Sequence, residues 1–199
     1  MGMSFDKPVR HLREYLTVLG AFTRGEPVAH HGDAYNVNAA ISVPGAAPFP
    51  IVVAALGPQM LKVTAELADG TLTWCTGPAT LAEHTVPTIN AAAEAAGRPL
   101  PRVIAALPVC VTDDVDAARE RAAKVFAVYG QLPSYRAMLD REGVAGAADI
   151  AIVGSADEVT ERIGSLADIG VTDFAAVEFG GTPDERAATR KALTAMLRA

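Results

Sequence analysis

The segment Ala54-Ala55-Leu56-Gly57-Pro58-Gln59 is the part of this chain best placed to do chemistry. A strand-forming run, Ile51 to Ala55, stops at a Gly-Pro pair, and a helical pattern begins at once. Small residues at such a turn let backbone amides approach an anion at a helix N-terminus. Ala54 and Ala55 leave room for a ligand, and Gly57 tolerates backbone geometry that other residues resist. The amides of Leu56, Gly57 and Gln59 are the expected donors, because Pro58 has none. The competing reading is a tight corner that binds nothing, common in α/β folds.

Three further places carry suitable residue types. Trp74-Cys75-Thr76 ends the next strand. Trp74, the only tryptophan, can wall a ring pocket, and the Thr76 hydroxyl can bond a substrate or cofactor oxygen; the alternative is core packing and a closed turn. Glu178-Phe179-Gly180-Gly181-Thr182 ends the last strand and is a second candidate for a phosphate, with a salt-bridged Glu178 as the bland reading. Tyr129, Tyr135 and Arg136 form a polar-aromatic cluster that can close a pocket. His30-His31 lacks a third ligand at metal spacing, so no metal site is expected. No Ser-His-Asp order or carboxylate pair marks a nucleophile, and no catalytic residue can be named.

The elements that position these residues follow from pattern. Pro8 to Leu19 reads as a helix with Leu12, Tyr15, Leu16 and Leu19 inward and Asp6 as cap. Gly25 to Pro50 reads as a loop with a short hairpin. Strands are expected at Ile51–Ala55, Thr71–Thr76, Arg102–Thr112 and Thr172–Phe179. Helices are expected at Gln59–Ala68, ended by Asp69-Gly70, in a stretch from Thr80 to Ala96 broken by Pro87, at Val115–Tyr129 and at Tyr135–Glu142. Ser155-Ala156-Asp157-Glu158 and Thr182-Pro183-Asp184-Glu185 are capping boxes that start the last two helices. Strand-helix alternation at this spacing means βαβ units and a parallel sheet.

Composition sets bounds. The chain has 199 residues, half of them hydrophobic, 20% charged and 6% aromatic. A formal net charge of -6 and the lack of a basic stripe argue against nucleic acid as a partner. No apolar stretch is long enough to span a membrane. Cys75 and Cys110 fall in expected strands and read as buried small hydrophobes. A reduced, cytoplasmic protein is the expectation.

Several segments resemble the bacterial luciferase-like superfamily, above all its deazaflavin (F-420)-dependent oxidoreductases, common in actinobacteria. They are Pro8 to Leu16, Ile51 to Gly70, Ala96 to Pro99, Pro108 to Asp114, Tyr129 to Arg136 and Gly170 to Phe174. The resemblance implies an α/β fold of the (β/α)8 TIM-barrel family, with Pro8 to Leu16 matching the helix before the fifth strand. The chain is therefore expected to be one domain over 1–199, an incomplete barrel of roughly the last four β/α units with an insertion at 25–50. It implies hydride transfer between reduced F-420 and a small organic substrate, with FMN and a monooxygenase reaction as the alternative. It also implies cofactor contacts at Ala54, Ala55, Leu56, Gly57 and Gln59, and substrate contacts at Trp74 and Thr76. A half-barrel exposes sheet edges, so a homo-oligomer, a dimer, is expected. A non-catalytic structural or assembly module is the reading from a different class.

Overall fold

The computed structural model describes residues 6–197, and its principal strands run parallel between helices. It divides into two compact units. The first is the described chain up to Thr71 with Thr88–Pro101; the second is Leu72–Pro87 with the described chain from Arg102 on.

In the first unit, α1 (Pro8–Thr23) opens with proline in its first turn, where the missing N–H is no loss. Lys7, in the left-handed region, holds the cap position in place of Asp6. Leu16 is buried, with Val9 and Leu12 packed beside it, but Tyr15 is 45% exposed. Glu14 is buried instead. Its carboxylate accepts the amides of Asp33, Ala34 and Tyr35 at 3.1, 2.8 and 2.9 Å. That grip holds the turn between β1 (Val28–His31) and β2 (Asn36–Ala39), the expected hairpin, which pairs antiparallel. His11 stacks on Tyr35 with ring centroids 5.0 Å apart.

The expected strand at Ile51–Ala55 shrinks to β3 (Val52–Val53), which pairs in parallel with Gly70 and Thr71 at the start of β4 (Gly70–Trp74). Asp69 clamps the entry to both: its carboxylate accepts the Ile51 amide and its own amide donates to the Ile51 carbonyl, each at 2.8 Å. Between them runs α2 (Pro58–Leu67), capped at its end by Ala68. Gly70 therefore opens a strand; the expectation that it closes the helix is corrected.

In the second unit, α3 (Pro78–Thr80) passes into a π turn (Leu81–Thr85), after which α4 (Val86–Ala95) runs on into the first unit. The Val86 amide donates to the Leu81 carbonyl, five residues back. This wider turn relieves the clash that Pro87 would make with the carbonyl four residues before it. Sequence pattern showed the break and not its form.

The centre of this unit is β5 (Arg102–Val111), which pairs in parallel with β6 (Ile152–Gly154) and β7 (Asp173–Glu178). Thr73 of β4 donates to the Ile104 carbonyl at 3.4 Å. β6 has only three residues and escapes pattern reading. Leu107, Val109, Leu139, Ile152 and Val159 form the buried core with their neighbours. Around it lie α5 (Val115–Val125), a 3-10 turn (Ala127–Gly130), α6 (Pro133–Glu142), α7 (Ala156–Gly164) and α8 (Pro183–Met196). Both capping boxes form as expected. Cys110 lies in β5, whereas Cys75 falls just past β4; both are buried and unpaired.

The bond from the Tyr35 amide, with those from Ala34 and Asp33, holds the Glu14 carboxyl below the usual value of 4.5. A carboxyl lowered on folding stabilises fully above that value and loses its contribution as pH falls through its folded value. Hydrogen exchange at Asp33, Ala34 and Tyr35 should therefore accelerate relative to the rest of the chain at acid pH. In Glu14→Gln this acid-dependent step should be absent.

Candidate cofactor corner

Two strand-to-helix corners in this chain share the sequence Gly-Pro and the same backbone. Gly57 has φ -77° and ψ 155°, and Gly77 has φ -76° and ψ 169°. In each a proline is the first helical residue. In each the next turn closes with one bond, Leu61 amide to Gly57 carbonyl and Leu81 amide to Gly77 carbonyl, both 2.9 Å.

The corners differ in what lies over them. At Gly77 the Glu142 carboxylate accepts the amides of Ala79 at 3.1 Å and Thr80 at 2.7 Å. A Cβ on Gly77 would lie 2.3 Å from that carboxylate. At Gly57 a Cβ would meet nothing within 4 Å. The α2 start has no side-chain cap and no acidic residue in its first turn. The Gly77 corner thus shows what this geometry binds: an oxyanion, through the amides of the second and third helical residues. At the Gly57 corner those residues are Gln59 and Met60.

Two expectations change here. Gly57 is in extended backbone that any residue adopts, so its left-handed freedom is not used. What glycine supplies is open space over the amides. The positions equivalent to Ala79 and Thr80 are Gln59 and Met60, and Met60 is not among the donors read from the sequence. Ala54 and Gln59 are exposed, Leu56 and Gly57 are half-buried, and Ala55 is buried. The Ala55 carbonyl accepts the Thr71 hydroxyl at 3.2 Å, which ties the corner to β4.

Trp74 stands at the end of β4 in a ring cluster of the second unit. It meets Phe126 and Tyr129 edge-to-face at 5.6 and 5.5 Å, and Tyr129 meets Tyr135 at 5.0 Å. The indole N–H is buried without an oxygen or nitrogen acceptor. Thr76 is fully buried, and its hydroxyl donates to the Trp74 carbonyl at 3.4 Å, as in the closed-turn reading. Between them, Cys75 has φ 51° and burial pushes its thiol up to about 12, so it is no thiolate nucleophile. Burial, then Tyr129 and Cys75, raises the Tyr135 hydroxyl.

Arg136 leaves the cluster. It bonds Asp140 and the carbonyls of Val144 and Ala145, so it holds the end of α6 and does not close a pocket. The Gly180-Gly181 turn is filled from within. Glu185 accepts the amides of Gly181 and Thr182 at 2.6 and 3.1 Å and pairs with Arg121 at 2.9 Å. A Cβ on Gly181 would lie 2.6 Å from Arg121. Burial raises the Glu185 carboxyl, but bonds from Thr112, Thr182, Gly181 and Arg121 outweigh it and hold it low. Glu178 pairs with Arg190, the bland alternative for that residue. His30 and His31 face Glu14 and Asn36.

The profile of the family described as Luciferase-like monooxygenase matches residues 1–173. This chain belongs to the luciferase-like monooxygenase family. A 5,10-methylenetetrahydromethanopterin reductase of Methanolobus tindarius is 30% identical over 215 residues, covering 94% of this chain and 66% of that protein. The coenzyme F420 dependent tetrahydromethanopterin reductase of Methanopyrus kandleri superposes with TM-score 0.72 at 25% identity, covering 92% of this chain and 60% of that one. The oxygenating constituent of 3,6-diketocamphane monooxygenase from Pseudomonas putida, in complex with FMN, shares the fold at 18% identity and TM-score 0.60, with 91% and 60% covered. The fold is thus the α/β fold of these proteins. The family member described here spans under two thirds of their length.

The two corners predict opposite responses to one change. Gly57→Ala should shift unfolding free energy by less than about 1 kcal/mol. Gly77→Ala displaces the Glu142 carboxylate from two amides and should cost about 1–3 kcal/mol. Urea denaturation of the two variants measures both.

Proposed function

We propose that this chain acts as an F-420-dependent oxidoreductase, moving a hydride between reduced F-420 and a small organic substrate. The observation that carries the reading is that the Gly57 corner is open where the corner of the same sequence and backbone at Gly77 is filled by a carboxylate. The names of the relatives support the choice of cofactor, since the reductase of Methanopyrus kandleri depends on coenzyme F420. The corner fits the group: two amide positions, no acid in the first turn, and an unobstructed approach.

When bound, F-420 supplies the hydride, and the protein supplies position. In this reading Gln59 and Met60 donate to a phosphate oxygen, and the Ala54, Ala55, Leu56 and Gly57 backbone leaves the approach clear. The partial charge of the α2 start adds to the attraction. Trp74 is the proposed wall for a ring, backed by Phe126 and Tyr129. Thr76 acts by holding Trp74 through its carbonyl. The hairpin region at 25–50 is proposed as an insertion in one domain, and the working assembly as a homodimer. No described helix is long and apolar enough to cross a membrane.

FMN is the second reading, favoured by the FMN-bound fold neighbour. Fluorescence titration with F-420 and with FMN separates the two. Saturable binding of F-420 and weaker binding of FMN is expected; the reverse order installs FMN, and binding of neither removes the cofactor reading. Gly57→Asp sharpens the test, because aspartate is at least as good a helix cap as glycine. The variant should keep or raise thermal stability while weakening F-420 about 10-fold or more, the loss of one charge-assisted contact.

A further inference from the structure

At the opposite end of β3 from the Gly57 corner, where Ile51 enters the strand, lies a cavity of about 420 Å³. Sites for small molecules span roughly 300–1,000 Å³. Its wall combines Arg24, Arg98 and Asp69 with Phe49, Ile51 and Leu67. Two guanidinium groups reach it from different elements, Arg24 just after α1 and Arg98 after α4.

Both arginines are held through Nη2. Arg24 donates from it to Glu26 at 2.7 Å, and Arg98 donates from it to the Ala68 carbonyl at 2.8 Å and toward Asp69 at 3.5 Å. Among the described residues Nη1 and Nε of both take no partner. Arg24 Nη1 lies over α1, 3.3 Å from where a Cβ on Gly20 would stand.

Several acceptors around the cavity already have donors. The Gly20 carbonyl accepts the Thr23 hydroxyl, and the Ala21 carbonyl accepts the amides of Arg24 and Glu26. Asp69 accepts the Ile51 amide and faces Arg98. Glu26 and Asp69 balance the charge of the two guanidiniums, and what the cavity offers a ligand is their remaining Nη1 and Nε donors beside an apolar wall. Phe49, 62% exposed, stands between Pro48 and Pro50, which restrict its backbone.

The geometry points to a second ligand site, for a small carboxylate bearing a flat apolar group. Arg24 and Arg98 bind the carboxylate, and Phe49 covers the apolar face. The site is separate from the proposed cofactor corner.

Calorimetric titration of the full chain with benzoate, benzamide and inorganic phosphate at matched ionic strength tests it. Benzoate should bind saturably and at least 10-fold more tightly than either control. Arg24→Gln should weaken benzoate about 10-fold, and Phe49→Ala about 3-fold. Both side chains are exposed, so the fold should persist, as circular dichroism can verify. Gly57→Asp should leave benzoate binding unchanged, which separates this site from the cofactor reading. Equal binding of phosphate would mean an adventitious ion only and would overturn the proposal. Equal binding of benzamide, or no binding of benzoate, would overturn it as well.

Discussion

Amides at helix starts have no acceptor within the helix, and much of this structure is organised by how that need is met. Glu142 covers the start of α3, Asp114 that of α5, Glu158 that of α7 and Glu185 that of α8. Glu14 does the same for three successive amides of the hairpin turn. Each carboxylate ties a loop or corner to its place. The α2 start shares the lack of a first-turn acid and of a side-chain cap with α1 and α6, but it alone of these three follows a Gly-Pro corner with the backbone of the one Glu142 covers.

The same carboxylates explain why the second glycine turn is not a rival site. The Gly180-Gly181 corner has the right composition, yet Glu185 and Arg121 fill it with a half-buried pair and a cation contact to Phe179. Internal ligation also sets where the strands begin. Arg102 and Asp173 pair at the starts of β5 and β7, so these strands stay in register toward the corners they feed.

Much of this was legible in the residues. The capping boxes, the hairpin, α1 and the parallel strand-helix order follow from local pattern, since each is set by neighbours within a few positions. β6 was not legible, because three residues beside β5 carry no period. The burial of Glu14 and the capture of the Gly77 corner by Glu142 were not legible either. Both join residues far apart in sequence, 14 with 33–35 and 142 with 79–80, and no spacing rule links them. For the corner itself, the sequence argued from Gly57's tolerance of rare backbone angles, whereas Gly57 lies in extended backbone and what it leaves is open space.

The most direct test is nuclear magnetic resonance of the backbone amides during addition of F-420. The Gln59 and Met60 amide signals should move and become protected from exchange, while Ala79 and Thr80, already bonded to Glu142, should stay where they are. Binding of F-420 that leaves Gln59 and Met60 unmoved would contradict the account.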